Sequence, residues 1–300
     1  MAIPENDLFE QHRARLFGLA YRMMGSVADA EDIVQDAYLR WRRVEFETVG
    51  NPGGFLSKVV SRLCLDRLKE ARRRREVYVG PWLPEPVIND PALAETPPDD
   101  VAGDISIALM LALERLSPLE RAAFLLRDVF DMDFKEIAAV LDRNETACRQ
   151  LASRARANVR KDKPRFTVSP EENAKIADAF FTALRSGEAG ALRDMLAAEA
   201  TLHSDGGGRV PAARNILLGA DRIARFFAGY ARKGYLAKPQ WKRRVFINGL
   251  PGEISLNGDG VLQTAALDIR GGRIAAIYVT RNPDKLRHIA SLPESAGRPN

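Results

Sequence analysis

The hydrophobic pattern changes period at Pro164, and that change limits the possible folds more than any other feature of this chain. Before it, apolar residues recur every three or four positions, the spacing of amphipathic helices. After it, one helical run at residues 170–185 gives way to short alternating runs broken by glycine turns. Residues 200–204, 242–248, 253–256, 261–269 and 273–280 read as strands, with Asn257-Gly258-Asp259-Gly260 and Gly271-Gly272 between them. Residues 192–196 and 220–230 read as further helices. Helices first and a meandering sheet afterwards predict a multidomain chain, with two all-α units followed by an α+β unit whose curved sheet wraps on helices. A length of 300 residues suits two or three domains.

The helical part divides again. Residues 1–76 carry helical runs at 6–24, 29–43 and 55–75, interrupted at 44–54 by Asn51-Pro52-Gly53-Gly54. Residues 77–104 hold Pro81, Pro84, Pro86, Pro91, Pro97 and Pro98 among acidic residues, which forbids a long helix and predicts a linker. Fully extended, such a stretch reaches about 90 Å. Trp82, inside Trp82-Leu83-Pro84-Glu85-Pro86, is costly to leave in water and is expected to dock on a neighbour. Residues 105–163 resume as helices: 105–116, then a run opened by Ser117-Pro118-Leu119-Glu120, a capping box with proline at the first position, reaching about Phe130.

Residues 133–156 follow. Phe134, Ile137, Ala138 and Leu141 give one short helix an apolar face, and Asp142-Arg143-Asn144 interrupts it. A second helix buries Cys148, Leu151, Ala152, Ala155 and Val159 and turns Thr146, Arg149, Gln150, Ser153, Arg156 and Arg160 outward. That is the layout of a helix-turn-helix, whose second helix enters the DNA major groove. Two amphipathic helices with a polar turn also suit an ordinary all-α core, so the segment alone leaves both readings open.

Bulk composition narrows the classes. No apolar run approaches the ~20 residues of a membrane span, and the N-terminus lacks a signal-peptide core, so a cytoplasmic protein is expected. Cys64 and Cys148 stand at apolar helix positions and read as core residues, and no cluster has zinc-ligand spacing. No cofactor is expected. The net charge of +5 is unevenly divided. Residues 1–165 hold 26 Lys/Arg against 27 Asp/Glu, whereas the rest hold 19 against 13. Basic residues cluster at Arg72–Arg75 and along 149–165, and acidic ones at Glu31, Asp32 and Asp36. Segregated signs suit a protein that touches DNA with one face and a basic protein with another.

The strings Tyr21-Arg22-Met23-Met24-Gly25 and Asp29-Ala30-Glu31-Asp32-Ile33-Val34-Gln35-Asp36-Ala37-Tyr38-Leu39-Arg40, the helix at 55–75 and the 133–156 segment together resemble RNA polymerase sigma factors of the extracytoplasmic-function type. The resemblance covers about residues 5–163. It implies that residues 1–76 form sigma domain 2, which docks on the polymerase and reads the −10 element, and that 105–163 form sigma domain 4, which reads the −35 element. It implies that Asp32, Gln35 and Asp36 meet the β′ clamp helices of core RNA polymerase, that the polymerase β flap is a further contact, and that Asn51, Lys58, Arg62, Arg67, Arg72 and Arg73 serve the −10 side. On the −35 side it implies Thr146, Arg149, Gln150, Ser153 and Arg154. Arg forks onto guanine and Gln onto adenine, each worth about 1–3 kcal/mol of discrimination.

Residues 166–300 resemble a SnoaL-like (NTF2-like) cone, a domain found fused to one group of these factors. The resemblance is carried by Trp82-Leu83-Pro84-Glu85-Pro86, Asp205-Gly206-Gly207-Gly208-Arg209 and Asn282-Pro283-Asp284-Lys285-Leu286. It implies a regulatory role for Trp82, Pro84, Glu85, Asp205, Gly206, Gly207, Gly208, Arg209, Asn282, Pro283, Asp284, Lys285 and Leu286, with the fused domain standing in for a separate anti-sigma protein. The whole chain is then expected to be a transcription initiation factor, not an enzyme.

Two other readings of the C-terminal part remain. His203 and Asp205 lie two apart on one strand, where a His–carboxylate pair suits acid/base chemistry, so an enzyme or ligand sensor fused to DNA-binding helices is the alternative. An unidentified small-molecule ligand belongs to the same reading. Asp205 and its glycines equally suit a rigid docking turn, and His12 and His288 read as surface or interface residues.

Overall fold

The computed structural model describes residues 5–45, 48–89, 105–159, 170–234, 236 and 239–292, the side chains of residues 5, 69–76 and 170 excepted. The chain separates into two compact units, one of residues 1–77 and 95–163, the other of residues 78–94 and 164–300.

The first unit is helical. Helices α1 (Glu5–Met24), α2 (Val27–Trp41) and α3 (Pro52–Glu76) pack on one another. Gly25, at φ 70°, ends α1, and the Ser26 hydroxyl accepts from the Asp29 amide to start α2. Leu16, Leu19, Met23, Ile33, Trp41, Leu56 and Val60 are almost wholly buried between the three. The second half has α4 (Ile107–Glu114), capped by Ser106, and α5 (Pro118–Phe124). The capping box at Ser117 and Glu120 forms as the sequence indicates. Its hydroxyl holds the Glu120 carboxyl below the usual carboxylate range. The helix then loosens to a π-turn at Leu125–Val129, so the run to Phe130 is not one regular helix. Helices α6 (Phe134–Leu141) and α7 (Glu145–Val159) close the unit.

The two helical halves are joined through buried polar contacts. Arg121, 3% exposed, donates from Nη1 to the Met23 carbonyl at 2.6 Å and from Nε to the Leu113 carbonyl at 3.0 Å, and pairs with Glu114 at 2.7 Å. Met23 O lies in the last turn of α1, where helix carbonyls lack internal donors and a cation is favourable. Removing this guanidinium would take its donors from the Met23 and Leu113 carbonyls and its charge from beside Glu114, a destabilising change. Arg15 makes a smaller link, donating to Phe130 O at 2.8 Å.

The second unit is a seven-stranded sheet with three helices, α8 (Pro170–Ser186), α9 (Ala189–Met195) and α10 (Ala220–Arg232). The strands are β1 (Ile88–Asn89), β2 (Leu196–Asp205), β3 (Leu217–Leu218), β4 (Trp241–Ile247), β5 (Leu250–Leu256), β6 (Leu262–Arg270) and β7 (Arg273–Thr280). Their order is β1-β4-β5-β6-β7-β2-β3, antiparallel throughout except for the parallel β2–β7 pair. Phe180, Phe181, Leu192, Leu202, Ile223, Phe227, Leu267 and Ile277 fill the space between helices and sheet. Helices packed on one side of a mostly antiparallel sheet are the α+β arrangement the pattern change after Pro164 indicates.

One boundary moves. Residues 78–89, part of the expected linker, belong to the C-terminal unit. Ile88 and Asn89 pair with Ile247 and Phe246 as an edge strand. The Asn248 amide donates to Val87 O at 2.8 Å, and the Val87 amide donates to the Asn248 side chain at 3.1 Å. Pro86 and Pro84 are compatible with this because edge strands and extended segments spare the proline nitrogen. Among the described residues, no helix is long and apolar enough to cross a membrane.

Candidate nucleic-acid interface, polymerase face and linker clamp

The turn between α6 and α7 is built by Asp142, which adopts the left-handed conformation at φ 52°, and by Asn144, whose side chain accepts from the Ala147 amide at 2.8 Å. Asp133 and Glu136 form a capping box at the start of α6. Ile137, Val140, Leu141, Cys148, Ala152, Ala155 and Val159 are buried between the helices and α5. Burial raises the Cys148 thiol pKa, as it does that of Cys64 deep in the first bundle. Thr146, Arg149, Gln150, Ser153 and Arg154 are all exposed on α7. Arg149 is steadied by Glu145 at 2.9 Å and lies over the Phe134 ring at 4.9 Å, so its guanidinium is held but not buried. Arg156 differs from its neighbours: Asp128 holds its Nε at 2.8 Å, so it braces the π-turn.

The residues expected to serve the −10 element lie differently. Asn51 caps α3, its side chain accepting from the Gly54 amide at 2.9 Å; here its carbonyl oxygen is committed to the helix and not to a base. Arg62 donates to Ala139 O at 3.0 Å and to Val140 O at 3.4 Å, the open carbonyls at the end of α6. Arg67 pairs with Asp36 at 2.7 Å and Asp32 at 3.7 Å. Both arginines are therefore spent on internal partners, because the helix end and the carboxylates lie within their reach. Lys58 is half-buried on α3, and the side chains of Arg72 and Arg73 lie outside the described residues. His12 packs over Gly53, where a Cβ would meet its ring at 3.1 Å, and burial lowers its pKa, with Arg15 adding to the effect.

On α2, Asp32 and Gln35 are exposed and Asp36 half-buried. Leu39, 48% exposed, continues the same face at i, i+3, i+4 and i+7. Charge reasoning alone did not single out this exposed apolar side chain beside two carboxylates; its helical spacing from Asp32 was the available signal.

The three strings of the C-terminal resemblance meet around one carboxylate. Asp205 is fully buried. Its Oδ1 accepts from the Tyr78 hydroxyl at 2.5 Å and the Gly207 amide at 3.0 Å. Its Oδ2 accepts from the Leu83 amide at 2.9 Å and from Lys285 Nζ at 2.7 Å. All four lone-pair positions of the carboxylate are thus occupied. Lys285 also donates to Leu83 O and lies over the rings of Trp82 at 4.3 Å and Tyr78 at 4.8 Å. Asn282 donates to the Tyr78 hydroxyl at 2.8 Å, and a His288 ring nitrogen contacts Pro86 O at 2.8 Å. Burial, then the bond to Asp205, pushes the Tyr78 hydroxyl pKa well above its usual value.

The glycines are needed by this closeness. A Cβ on Gly206 would lie 2.5 Å from Val210 O, and one on Gly207, at φ 59°, would overlap the Asn282 amide. Arg209 pairs with Asp284 at 3.1 Å, Leu286 and Pro84 are buried, and Glu85 and Pro283 stand nearer the surface. Asp205 faces the linker segment, while His203 packs on Tyr278 at 5.2 Å between ring centres; the four hydrogen bonds of Asp205 leave no place for a catalytic pair with it.

A helical region whose second helix exposes acidic residues, followed by a helix-turn-helix with an open basic face, is the arrangement of a sigma-70-type initiation factor. Family models for Sigma-70 region 2 and Sigma-70 region 4 match residues 8–74 and 106–159. The chain is 36% identical over 313 residues to the ECF RNA polymerase sigma factor SigJ of Mycobacterium tuberculosis, covering 97% of each chain. It is 30% identical over 294 residues to the probable ECF sigma factor SigI of the same species, covering 94% of this chain and 95% of that one. The crystal structure of Mycobacterium tuberculosis extracytoplasmic function sigma factor SigJ matches with a TM-score of 0.76 at 35% identity, over 93% of this chain and 97% of that one. The chain belongs to the extracytoplasmic-function RNA polymerase sigma factors. It is a promoter-recognising factor, and the fused-enzyme alternative is not favoured.

Proposed function

We propose that this factor is regulated through its own linker, with the C-terminal unit acting in place of a separate anti-sigma protein. Asp32, Gln35, Asp36 and Leu39 serve as the polymerase face. Thr146, Arg149, Gln150, Ser153 and Arg154 read the −35 element, and α3 with Lys58, Arg62, Arg67, Arg72 and Arg73 serves the −10 element. The observation that carries the reading is the occupation of Arg62 by the carbonyls of Ala139 and Val140. A side chain bound to domain 4 is not available to DNA, so this arrangement is a resting form that opens when promoter elements are engaged.

The clamp around Asp205 sets how far it opens. Residues 78–89 lie on the C-terminal unit, which removes up to about 40 Å of contour from the connection between domains 2 and 4. Releasing the clamp returns that length. The −10 and −35 readers need a separation of one to two helical turns of DNA, roughly 35–70 Å, so the remaining residues 90–104 restrict it and the full linker does not.

The test is transcription in vitro with core polymerase and a promoter that core alone ignores. Full-length protein is compared with a chain ending at Pro164 and with Lys285→Met, which opens the clamp and leaves the rest intact. Both variants are expected to change the yield of specific transcript at least several-fold, with the same sign. Equal yields from all three proteins would remove the regulatory role.

A further inference from the structure

The C-terminal unit carries a second basic surface that the clamp does not use. A groove of about 1060 Å³ lies between α9, the start of α10 and the ends of β2, β6 and β7. Five arginines line it, Arg193, Arg222, Arg225, Arg270 and Arg273, against three acidic residues. Two of the five are neutralised. Arg193 pairs with Asp221 at 2.7 Å, and Arg270 with Asp268 at 2.6 Å. The other three are not. Arg225 donates to the backbone oxygen of Asp221, and Arg273 to the backbone oxygens of Asp194 and Leu196. Those bonds orient a guanidinium without cancelling its charge. Among the described residues, Arg222, Arg225 and Arg273 have no carboxylate partner, and all three are exposed.

We infer that this groove binds the phosphate backbone of duplex DNA. Oriented guanidinium groups with unspent charge are the usual means of holding phosphate without reading sequence. The lining also suits a polyanion better than an apolar ligand, since only Leu196 and Leu218 among its residues are large and apolar. Charge is distributed accordingly, because residues 166–300 hold the chain's whole basic surplus while residues 1–165 are slightly acidic. Geometry brings the partner. Helix α7 ends at Val159 and α8 begins at Pro170, so the intervening chain spans at most about 35 Å. When α7 sits in the major groove, that tether keeps the C-terminal unit about one helical turn from the same duplex, and the second contact forms at high effective concentration.

The groove would thus add affinity and salt dependence to promoter binding but no base preference. It differs from the α7 face, whose exposed Arg149 and Gln150 are suited to base edges.

The experiment measures binding of full-length protein to a promoter duplex and to a scrambled duplex over a range of salt. The test variant is R222Q/R225Q, at exposed positions whose side chains support no core contact. The control is K175Q/K242Q, which removes the same charge from exposed positions outside the groove. Each lost phosphate contact lowers the slope of log K against log salt by about 0.9. The slope is expected to fall by about 1.8 on both duplexes for R222Q/R225Q and to stay unchanged for the control. An unchanged slope for R222Q/R225Q overturns the inference. A defect confined to reactions containing core polymerase, with DNA binding intact, also overturns it and points to an acidic protein surface instead. Equal loss in the control shows general charge only and counts against the groove.

Discussion

The carboxylate of Asp205 and the arginines of α7 use charge in opposite ways. Asp205 is removed from water and given four donors, so its position is fixed and its loss is costly. Arg149 is left in water with the exposed Glu145 and the Phe134 ring beside it, so it contributes little to folding and its guanidinium stays accessible. Buried charge here defines where a segment of chain sits, whereas exposed charge defines what the molecule touches. The same residue chemistry thus serves architecture or recognition according to burial.

The largest effect that sharpens this contrast is expected from Asp205→Ala. It takes the buried Asp205 carboxylate from beside the Lys285 ammonium, and losing one member of a buried pair costs about 3–5 kcal/mol. Hydrogen exchange should show residues 78–89 losing protection ahead of the rest of the C-terminal unit. If those amides stay as protected as in the unaltered protein, Asp205 does not hold the segment. Next in size is Arg149→Ala. Discrimination at one −35 base pair should fall by about 1–3 kcal/mol, with folding stability almost unchanged. Competition binding against single-base promoter variants measures it, and a uniform loss on all sequences would mean a phosphate contact only. The smallest effect is expected from Arg67→Ala. Its pair with Asp36 is partly exposed, so stability should change by about 1 kcal/mol or less. Freed of their internal partner, Asp32 and Asp36 should bind core polymerase slightly more tightly; weaker binding would place Arg67 itself at the polymerase or at DNA.

Local pattern carried much of this fold. The capping boxes at Ser117 and Asp133, the turn at Asp142 and the buried face of α7 each follow from residues within one or two helical turns. Gly206 and Gly207 also announced a close approach, although not the partner that approaches. What sequence could not supply was pairing at long range. A two-residue strand such as Ile88–Asn89 has no period to detect, and its partner stands about 160 residues later. Prolines that properly exclude a helix were equally compatible with an extended segment laid on a sheet. The same limit applies to Arg62 and Arg67. Their charge was legible, but that a helix end and two carboxylates would take them up depends on packing between elements. The exposed Leu39 was passed over for a different reason, since attention to charge on that helix face singled out only its polar residues.

The clamp also has a timing. Leu83 is bound by Lys285, 202 residues further along the chain. At ~5–20 residues per second of synthesis, the lysine is made about 10–40 s after the segment it secures. For only the last ~6–24 s of that interval, after residue 163 has been made, are both helical halves complete while Lys285 does not yet exist. Each newly made molecule therefore passes through a stage in which residues 78–89 have no Lys285 to bind, and the contacts around Asp205 are completed only when β7 and the turn after it have left the ribosome.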